Sequence, residues 1–268
     1  MSRAPIRHWL DVGEGPPVVF IHGWGASGEF FAAQQALVKR GLRVIIPDLP
    51  GHGPTATRDT GLSIADLGDA LAEFLRAQGL VRPILVGWSM GLLVALEALT
   101  HARVQAAGLV ILDMTPKVAN APDWSYGIAS RQTAAEMIRT ADAMEAGWAD
   151  FAPRIAWSLF ARGRPPEAAW LAEATARLSA QDAPTLAALW RSLAQIDARA
   201  ALRSCALPLL VLLGGQSRIY SPALADFYRK AHPDARLTIL DGAGHAPQIE
   251  QPDAVNTAIA AFAAQVVI

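Results

Sequence analysis

Short apolar runs alternate with longer amphipathic stretches along most of this chain. The apolar runs predict β-strands over residues 6–12, 17–21, 43–47, 83–86, 108–112, 207–213 and 236–240. The stretches between them predict helices over residues 28–40, 63–78, 89–101, 222–231 and 252–265. Start signals support three of these helices: Ser63 and Ser221 as N-caps, with Pro222 and Pro252 in first turns. Strands that alternate with helices indicate a mostly parallel sheet with helices on both faces.

The alternation stops between residues 118 and 204. This segment has a helical pattern, is punctuated by prolines and includes Trp124, Trp148, Trp157, Trp170 and Trp190. We interpret it as four or so helices inserted between two strands to form a lid. The chain then divides into a first core part over 1–117, the lid insertion over 118–204 and a second core part over 205–268. The tryptophans suggest an apolar substrate channel, although packing between lid helices explains them equally well.

Composition narrows the class of protein. A chain of 268 residues that is 52% hydrophobic suits one domain with an insertion, and a net charge of −1 argues against a broad nucleic-acid surface. No stretch approaches the ~18 apolar residues of a membrane helix, and residues 1–12 lack a signal-peptide core. We therefore expect a soluble, cytoplasmic protein without a nucleic-acid or membrane partner. Cys205 is the single cysteine, and no cluster has metal-ligand spacing, so we expect no disulfide, metal or cofactor.

The strongest chemical signal lies at residues 87–91, which read G-W-S-M-G. This is the G-x-S-x-G pattern of a nucleophile elbow, in which a serine sits on a sharp turn from a strand into a helix. An apolar run precedes Ser89 and a helical pattern follows it, as the elbow requires. The pattern therefore predicts that the Ser89 hydroxyl is presented at the edge of the sheet, beside backbone N–H groups of a helix N-terminus.

A nucleophilic serine needs a base and an oxyanion hole. His245 follows the last predicted strand in the glycine-rich loop 242–247, so we expect it at the same sheet edge as Ser89. The residue after the nucleophile, Met90, would supply one backbone N–H to the oxyanion. Trp24, in the H-G-W-G loop that follows the strand at 17–21, would supply the second.

Four motifs occur together in one order: H-G-W-G at 22–25, D-L-P-G-H-G at 48–53, G-W-S-M-G at 87–91 and G-A-G-H-A-P at 242–247. In combination the chain resembles the α/β-hydrolase superfamily throughout, except in the lid. The H-G-W-G and G-W-S-x-G pieces are most similar to those of the pimeloyl-acyl-carrier-protein methyl ester esterases. The resemblance thus implies an α/β-hydrolase fold with a helical lid.

The resemblance also assigns roles to individual residues. It implies Ser89 as nucleophile, His245 as base, and the Trp24 and Met90 N–H groups as oxyanion donors. Trp88, together with Trp24, would contact the substrate, Trp88 by lining the acyl pocket. The two motif histidines, His22 and His52, would structure their loops.

The triad acid departs from the family pattern. Relatives usually place it in a G-x-x-D-x-x-x-P segment, but residues 215–222 read G-Q-S-R-I-Y-S-P, with Arg218 at the acid position. Asp113 follows the strand at 108–112, at the same sheet edge as Ser89 and His245, and we predict that it supplies the acid instead. The alternative is that Asp113 merely structures its loop. Asp241 lies only four residues before His245 and is less well placed to reach it.

A carrier-protein partner is a further expectation. Relatives that act on carrier-bound substrates hold the acidic carrier with lid arginines, and this lid carries Arg131, Arg139, Arg154, Arg162 and Arg164. Five acidic residues in the same stretch balance them, namely Glu136, Asp142, Glu145, Asp150 and Glu167. That balance favours the alternative of ordinary solvated helix faces.

These observations predict a serine carboxylic-ester hydrolase that works through an acyl-enzyme without a cofactor. The expected substrate is a small or medium acyl ester, with the methyl ester of a carrier-bound pimeloyl group as the specific hypothesis. A lactonase or a carbon–carbon bond hydrolase on the same triad is an alternative. Because Arg218 replaces the usual acid, a catalytically weak, ligand-binding hydrolase scaffold is another.

Overall fold

Seven strands form one sheet in the part of the chain that the structure, a computed structural model, describes: residues 5–53, 58–101, 104–163 and 165–267. The strands are β1 (Trp9–Val12), β2 (Pro17–Ile21), β3 (Arg43–Pro47), β4 (Ile84–Trp88), β5 (Gly108–Leu112), β6 (Leu209–Gly214) and β7 (Arg236–Leu240). Their order is β1-β3-β2-β4-β5-β6-β7. β1 is antiparallel to β3 and every other pair is parallel, which confirms the predicted sheet.

A 3₁₀ segment and ten helices surround the sheet among the described residues. The segment is Gly28–Arg40, and the helices are α1 (Ile64–Ala77), α2 (Met90–Thr100), α3 (Ala134–Ala146), α4 (Trp148–Ser158), α5 (Ala168–Ser179), α6 (Ala183–Gln195), α7 (Arg199–Arg203), α8 (Leu224–Ala231), α9 (Pro247–Glu250) and α10 (Pro252–Val266). Five of them, α3 to α7, lie between β5 and β6, where α3 packs on α6 and α4 on α5. Within the described ranges, none of these helices has the length and apolar character to span a membrane.

Alternation along the strands creates two hydrophobic layers. Val19 and Ile21 of β2 face one layer, whereas Val18 and Phe20 face the other, because successive side chains of a strand point to opposite faces. Helices α1, α2 and α8 cover the first layer, and the 3₁₀ segment and α10 cover the second. Both faces of the sheet are therefore buried, as a parallel sheet requires.

The sheet register brings three loops to one edge. At the carboxyl ends of the central strands, Ile21 of β2 pairs with Gly87 of β4, and Trp88 of β4 pairs with Leu112 of β5. The loops after β2, β4 and β5 therefore start side by side. In open α/β sheets this carboxyl edge is where ligands bind.

Several predicted boundaries are right and others are wrong. Ser63 caps α1 in a complete capping box, and Pro252 opens α10. Ser221 does not cap α8: a turn closed by the Leu224 N–H and the Ser221 carbonyl oxygen precedes the helix, which begins at Leu224.

In the first third of the chain, one strand boundary and one helix type differ from the expectation. β1 begins at Trp9 rather than at residue 6. Residues 28–40 form a 3₁₀ segment kinked at Phe31, where two consecutive phenylalanines are both buried. Phe30 stacks on Trp88 and Phe31 packs at a tilt against Phe20. The predicted helix is therefore present with its predicted bounds, but it is of the 3₁₀ type and tertiary contacts accompany its kink.

Gly68→Ala tests the packing of α1 on α2. Alanine normally stabilises a helix interior by about 1 kcal/mol relative to glycine. Here a Cβ at position 68 would lie 2.4 Å from the Glu97 Cβ, so we expect Gly68→Ala to lower the free energy of unfolding by about 1–3 kcal/mol. Urea denaturation measures the change. Asp69→Ala, at the next, exposed position, is the control and should leave stability the same or slightly higher.

Candidate active site

Ser89 occupies a strained turn between β4 and α2. Its φ of 52° and ψ of −128° lie outside the regions that L-residues favour. The flanking glycines allow the turn: a Cβ on Gly87 would lie 2.5 Å from the Leu92 nitrogen, and one on Gly91 would lie 2.0 Å from the Ile21 carbonyl oxygen. The elbow that the sequence predicts is therefore present, and only glycine fits at either flank.

A chain of hydrogen bonds connects Ser89, His245 and Asp113. The Ser89 Oγ lies 3.0 Å from His245 Nε2, and His245 Nδ1 lies 2.7 Å from Asp113 Oδ2. His245 and Asp113 are 3% and 1% exposed, so water does not compete for the hydrogen bond between them, whereas Ser89 is partly exposed. The structure thus brings together the three residues that the sequence nominates, from the ends of β4 and β5 and the loop after β7.

The carboxylate of Asp113 is held by the loop after β6. The Gly214 N–H donates to Oδ1 at 2.9 Å, and the Ser217 hydroxyl donates to Oδ2 at 2.7 Å. Asp113 itself has a φ of 40°, a left-handed conformation that aspartate tolerates better than most residues. Sequence reasoning missed the part of Ser217, although the residue is adjacent to the family's acid position.

Arg218 points away from this network. Its guanidinium donates to the carbonyl oxygens of Phe160 and Ala161 at 3.2 and 3.1 Å and lies over the ring of Trp157. The position that relatives give to the acid therefore serves here to hold the segment just after α4.

That segment, residues 159–162, is fixed against the loops on both sides of it. The Ala246 N–H donates to the Leu159 carbonyl oxygen, and the Arg162 N–H donates to the Gln216 carbonyl oxygen, both at 2.9 Å. The Glu250 carboxylate accepts from the Ala161 and Gly244 N–H groups at 2.9 and 2.6 Å. Glu250 thereby connects the segment after α4 to the residue before His245, a contact between distant segments that no sequence pattern reveals.

The two backbone N–H groups that are predicted to form an oxyanion hole belong to Met90 and Trp24. Met90 is the first residue of α2, so its N–H has no acceptor within the helix. No acceptor within the described residues takes the backbone N–H of Trp24. Gly23 brings this loop to the serine, because a Cβ there would lie 3.1 Å from the Ser89 Cβ. The indole of Trp24 is turned toward the insertion and donates to the Leu186 carbonyl oxygen at 2.8 Å.

A sequence profile of the Alpha/beta hydrolase family matches residues 18–258. The chain belongs to this family. The pimeloyl-[acyl-carrier protein] methyl ester esterase of Aromatoleum aromaticum is 32% identical over 243 residues, covering 89% of this chain and 94% of the relative. The protein of the same name from Methylococcus capsulatus is 31% identical, with 88% and 89% covered. The predicted resemblance is confirmed at the level of family and relatives.

Solved structures confirm the fold of this alpha/beta hydrolase. A thermophilic esterase from Thermogutta terrifontis superposes with a TM-score of 0.85 at 24% identity, covering 97% of this chain and 94% of the other. An N-acyl homoserine lactonase complexed with N-hexanoyl homoserine lactone superposes with a TM-score of 0.74 at 25% identity and the same coverage. The protein is thus a hydrolase with the α/β-hydrolase fold, in a family that includes esterases.

Trp88 of the hydrolase is a support of the His245 loop. Its indole is 1% exposed, stacks on Phe30 and lies edge-on to Phe31. The indole N–H donates to the His245 carbonyl oxygen at 2.6 Å. The described contacts of Trp88 are therefore with protein groups, and its predicted contact with an acyl chain stays a prediction.

The motif histidines His22 and His52 are buried, neutral hydrogen-bonding groups of the hydrolase. His22 Nδ1 donates to the Gly23 carbonyl oxygen and Nε2 accepts from the Leu49 N–H, both at 2.9 Å. His52 Nδ1 donates to the Pro50 carbonyl oxygen and Nε2 accepts from the Gly25 N–H, both at 3.1 Å. Burial lowers the pKa of His22 to about 4 and that of His52 to about 3. Both rings therefore connect the loop of Trp24 to the loop after β3.

No group of three or more histidine, cysteine, aspartate or glutamate side chains in the described residues is placed to hold a metal ion.

Tyr220 and Tyr228 approach the site from the β6–α8 side, and their hydroxyls donate to Met114 Sδ and to the Met114 carbonyl oxygen. Burial raises the pKa of both hydroxyls, so they stay neutral.

The two buried histidines should make stability fall as the pH falls. In the unfolded chain each takes up a proton near pH 6.5, but in the folded hydrolase only near pH 4 and pH 3. Between these limits the unfolded state binds more protons, so acid favours unfolding. Between pH 7 and pH 5, each histidine should lower the free energy of unfolding by about 2 kcal/mol.

Urea denaturation of His52→Asn at pH 7 and pH 5 measures this effect. The variant lacks one titrating group, so its stability should depend less on pH than that of the wild type. The control is His101→Asn at an exposed position, which should retain the wild-type pH dependence. An unchanged pH dependence in His52→Asn would contradict the assignment.

Proposed function

We propose that this hydrolase cleaves carboxylic esters, with Ser89 as nucleophile, His245 as general base and Asp113 as the triad acid. The observation that carries the proposal is the continuous hydrogen-bond chain, 3.0 Å from Ser89 Oγ to His245 Nε2 and 2.7 Å from His245 Nδ1 to Asp113 Oδ2. The hydrogen-bond chain begins at Ser89 on a strained turn, and backbone strain of this kind is common at functional sites.

The first half of the reaction forms an acyl-enzyme. The buried carboxylate of Asp113 accepts the Nδ1–H of His245, which leaves the Nε2 lone pair facing Ser89. As Ser89 Oγ bonds to the acyl carbon, its proton moves to Nε2, and the carbonyl electrons move onto oxygen. The N–H groups of Trp24 and Met90 stabilise this oxyanion. Collapse restores the carbonyl and breaks the ester bond, and Nε2 returns the proton to the leaving alcohol.

The second half regenerates the serine. His245 removes a proton from water, and the resulting hydroxide adds to the acyl carbon at the same oxyanion site. Collapse of this second tetrahedral intermediate releases the carboxylic acid and returns the proton to Ser89 Oγ. The groups required for both halves belong to the protein, so the proposed reaction needs only water as a second reactant.

The relatives support a methyl ester of a carrier-bound pimeloyl group as the substrate. Two proteins named pimeloyl-[acyl-carrier protein] methyl ester esterase are 32% and 31% identical to this chain over nearly its whole length. Because α/β hydrolases with one triad differ in substrate, a lactone is the second candidate, which the likeness to an N-acyl homoserine lactonase favours. Turnover of dimethyl pimelate beside that of N-hexanoyl homoserine lactone separates the two.

Ser89→Ala and Asp113→Asn test the proposed triad in the hydrolysis of a short p-nitrophenyl ester. Ser89→Ala should reduce the rate to the uncatalysed background, because the nucleophile is absent. Asp113→Asn should lower kcat by about four powers of ten, as the loss of the acid does in serine proteases.

Asp241→Asn is the matched control for the acid. Its carboxylate is exposed at the end of β7 and accepts from the Gly242 N–H, so the variant should keep wild-type activity. Circular dichroism verifies that each variant is folded. A folded Asp113→Asn with more than about a tenth of the wild-type rate would exclude Asp113 as the acid.

We also propose that the insertion over 118–204 is a lid that receives an acidic carrier protein. Four of its predicted carrier-binding arginines, Arg131, Arg139, Arg154 and Arg162, are exposed, and Arg164 lies outside the described residues. Other insertion arginines are engaged: Arg177, Arg191 and Arg199 each pair with acidic side chains. The ion pairs of the described residues include none from those four exposed arginines, although the charge of Arg139 acts on the nearby Glu136.

Arg139→Glu/Arg154→Glu tests the carrier surface. The double variant should raise KM for a carrier-linked methyl ester at least about tenfold and leave KM for dimethyl pimelate unchanged, since rim charges steer association. Lys39→Glu/Arg40→Glu makes the same charge change at exposed positions of the core. Steady-state kinetics at low salt compare the variants. Equal effects of both double variants on the carrier-linked ester would show that net charge, not the insertion, matters.

A further inference from the structure

The hydroxyl of Ser217 is oriented by its own loop. Ser217 is 1% exposed, and its Oγ accepts from the backbone N–H groups of Ile219 and Tyr220 at 3.3 and 3.2 Å. With its lone pairs occupied in this way, the hydroxyl proton is directed to Asp113 Oδ2, 2.7 Å away. A buried side chain that makes three hydrogen bonds is held in one rotamer.

Ser217 and His245 form hydrogen bonds with the same oxygen of the Asp113 carboxylate. Both donate to Oδ2 at 2.7 Å, while the Gly214 N–H donates to Oδ1. Such charge-assisted hydrogen bonds are about twice as strong as neutral ones, so they fix the plane of the carboxylate. That plane sets the direction in which the imidazole of His245 points.

We propose that Ser217 is a positioning residue for the Asp113–His245 pair, and that the loop after β6 keeps a second place from which a carboxylate can reach His245. The inference rests on the proposed function, because it concerns the same triad. It follows from where Ser217 lies: a carboxylate oxygen of aspartate extends one bond farther from the backbone than a serine hydroxyl, toward the space that Asp113 Oδ2 now fills.

The surrounding groups explain why a neutral hydroxyl suits this position. The Tyr220 ring packs edge-on to the His245 ring, and the hydroxyls of Tyr220 and Tyr228 are engaged by Met114. Among charged neighbours, Arg218 is directed to carbonyl oxygens after α4, and Glu250 to backbone N–H groups.

Of the described groups that contact Asp113, His245 is therefore the one that can carry a positive charge. Ser217 stabilises the carboxylate without competing with the imidazolium that forms during catalysis.

Ser217→Ala separates positioning from general structural support through the pH–rate profile. Loss of a hydrogen bond to the ionised carboxylate makes protonation of the Asp113–His245 pair easier. We expect kcat/KM on a p-nitrophenyl ester to fall about tenfold at neutral pH, and its acid limb to move up by about one pH unit. A purely structural role would lower the rate equally at all pH values, and an unshifted limb would overturn the positioning role. Ser217→Thr keeps the hydroxyl and should restore the wild-type limb.

An exchange of the two side chains tests the second place for the acid. Asp113→Ser should lower kcat about as much as Asp113→Asn does. The exchange variant Asp113→Ser/Ser217→Asp should have a kcat at least about tenfold higher than that of Asp113→Ser. The matched control is Asp113→Ser/Arg218→Asp, which puts a carboxylate at the family's usual position. Because the residue 218 side chain is directed toward the segment after α4, this control should recover nothing.

The outcomes distinguish the inference from the proposed function. If Ser89→Ala is inactive but a folded exchange variant is no better than Asp113→Ser, the second place for the acid is excluded and the triad stands. If the exchange variant does not fold, the pH profile of Ser217→Ala alone decides the positioning role. If the wild type and Ser89→Ala hydrolyse the ester equally, the proposed triad itself fails.

Discussion

A buried carboxylate that must be fully hydrogen-bonded organises this molecule. Asp113 is 1% exposed, and an ionised group at that depth is tolerated only when donors surround it. Its donors come from two segments: Gly214 and Ser217, at and just after the end of β6, and His245 after β7. The requirement therefore fixes the spacing between the ends of β5 and β6 and the loop after β7, which is the geometry that Ser89 needs.

Arg218, at the position that the family motif assigns to the acid, has a different structural role. Arg218 holds the carbonyl oxygens of the segment after α4, and Glu250 holds one N–H of the same segment and one beside His245. The insertion is thus joined to the histidine loop through backbone groups. Strain at Ser89 and Asp113, both at positive φ, is maintained because neighbouring elements determine their conformations from several sides.

The parts of the structure that follow from local chemistry were predictable. The glycines at 87 and 91 indicate the elbow, because a Cβ at either position would lie 2.5 or 2.0 Å from backbone atoms. The alternation of apolar runs with helical stretches indicates the buried parallel strands. The helix at 28–40 has the predicted bounds, but its 3₁₀ type and its kink at Phe31 accompany contacts with Trp88 and Phe20 on neighbouring strands, which the local pattern does not show. Asp113 was predictable from strand position, whereas Ser217 and Glu250 act through contacts between remote segments that no local pattern encodes.

A triad acid at Asp113, as proposed, is compatible with the departure from the family motif at Arg218. The imidazole requires a hydrogen-bond acceptor at Nδ1. That acceptor must be correctly oriented and must itself be stabilised by hydrogen-bond donors. The ends of β5 and β6 are adjacent in the sheet, since Leu112 pairs with Leu212, so a carboxylate can approach His245 from either strand end. With the acid at the end of β5, the buried Ser217 beside Arg218 donates a hydrogen bond to its carboxylate. A serine does so without adding charge, and the freed neighbouring position can then serve the insertion. Ser217 and Arg218 thus have separate roles, one toward the Asp113 carboxylate and the other toward the carbonyl oxygens after α4.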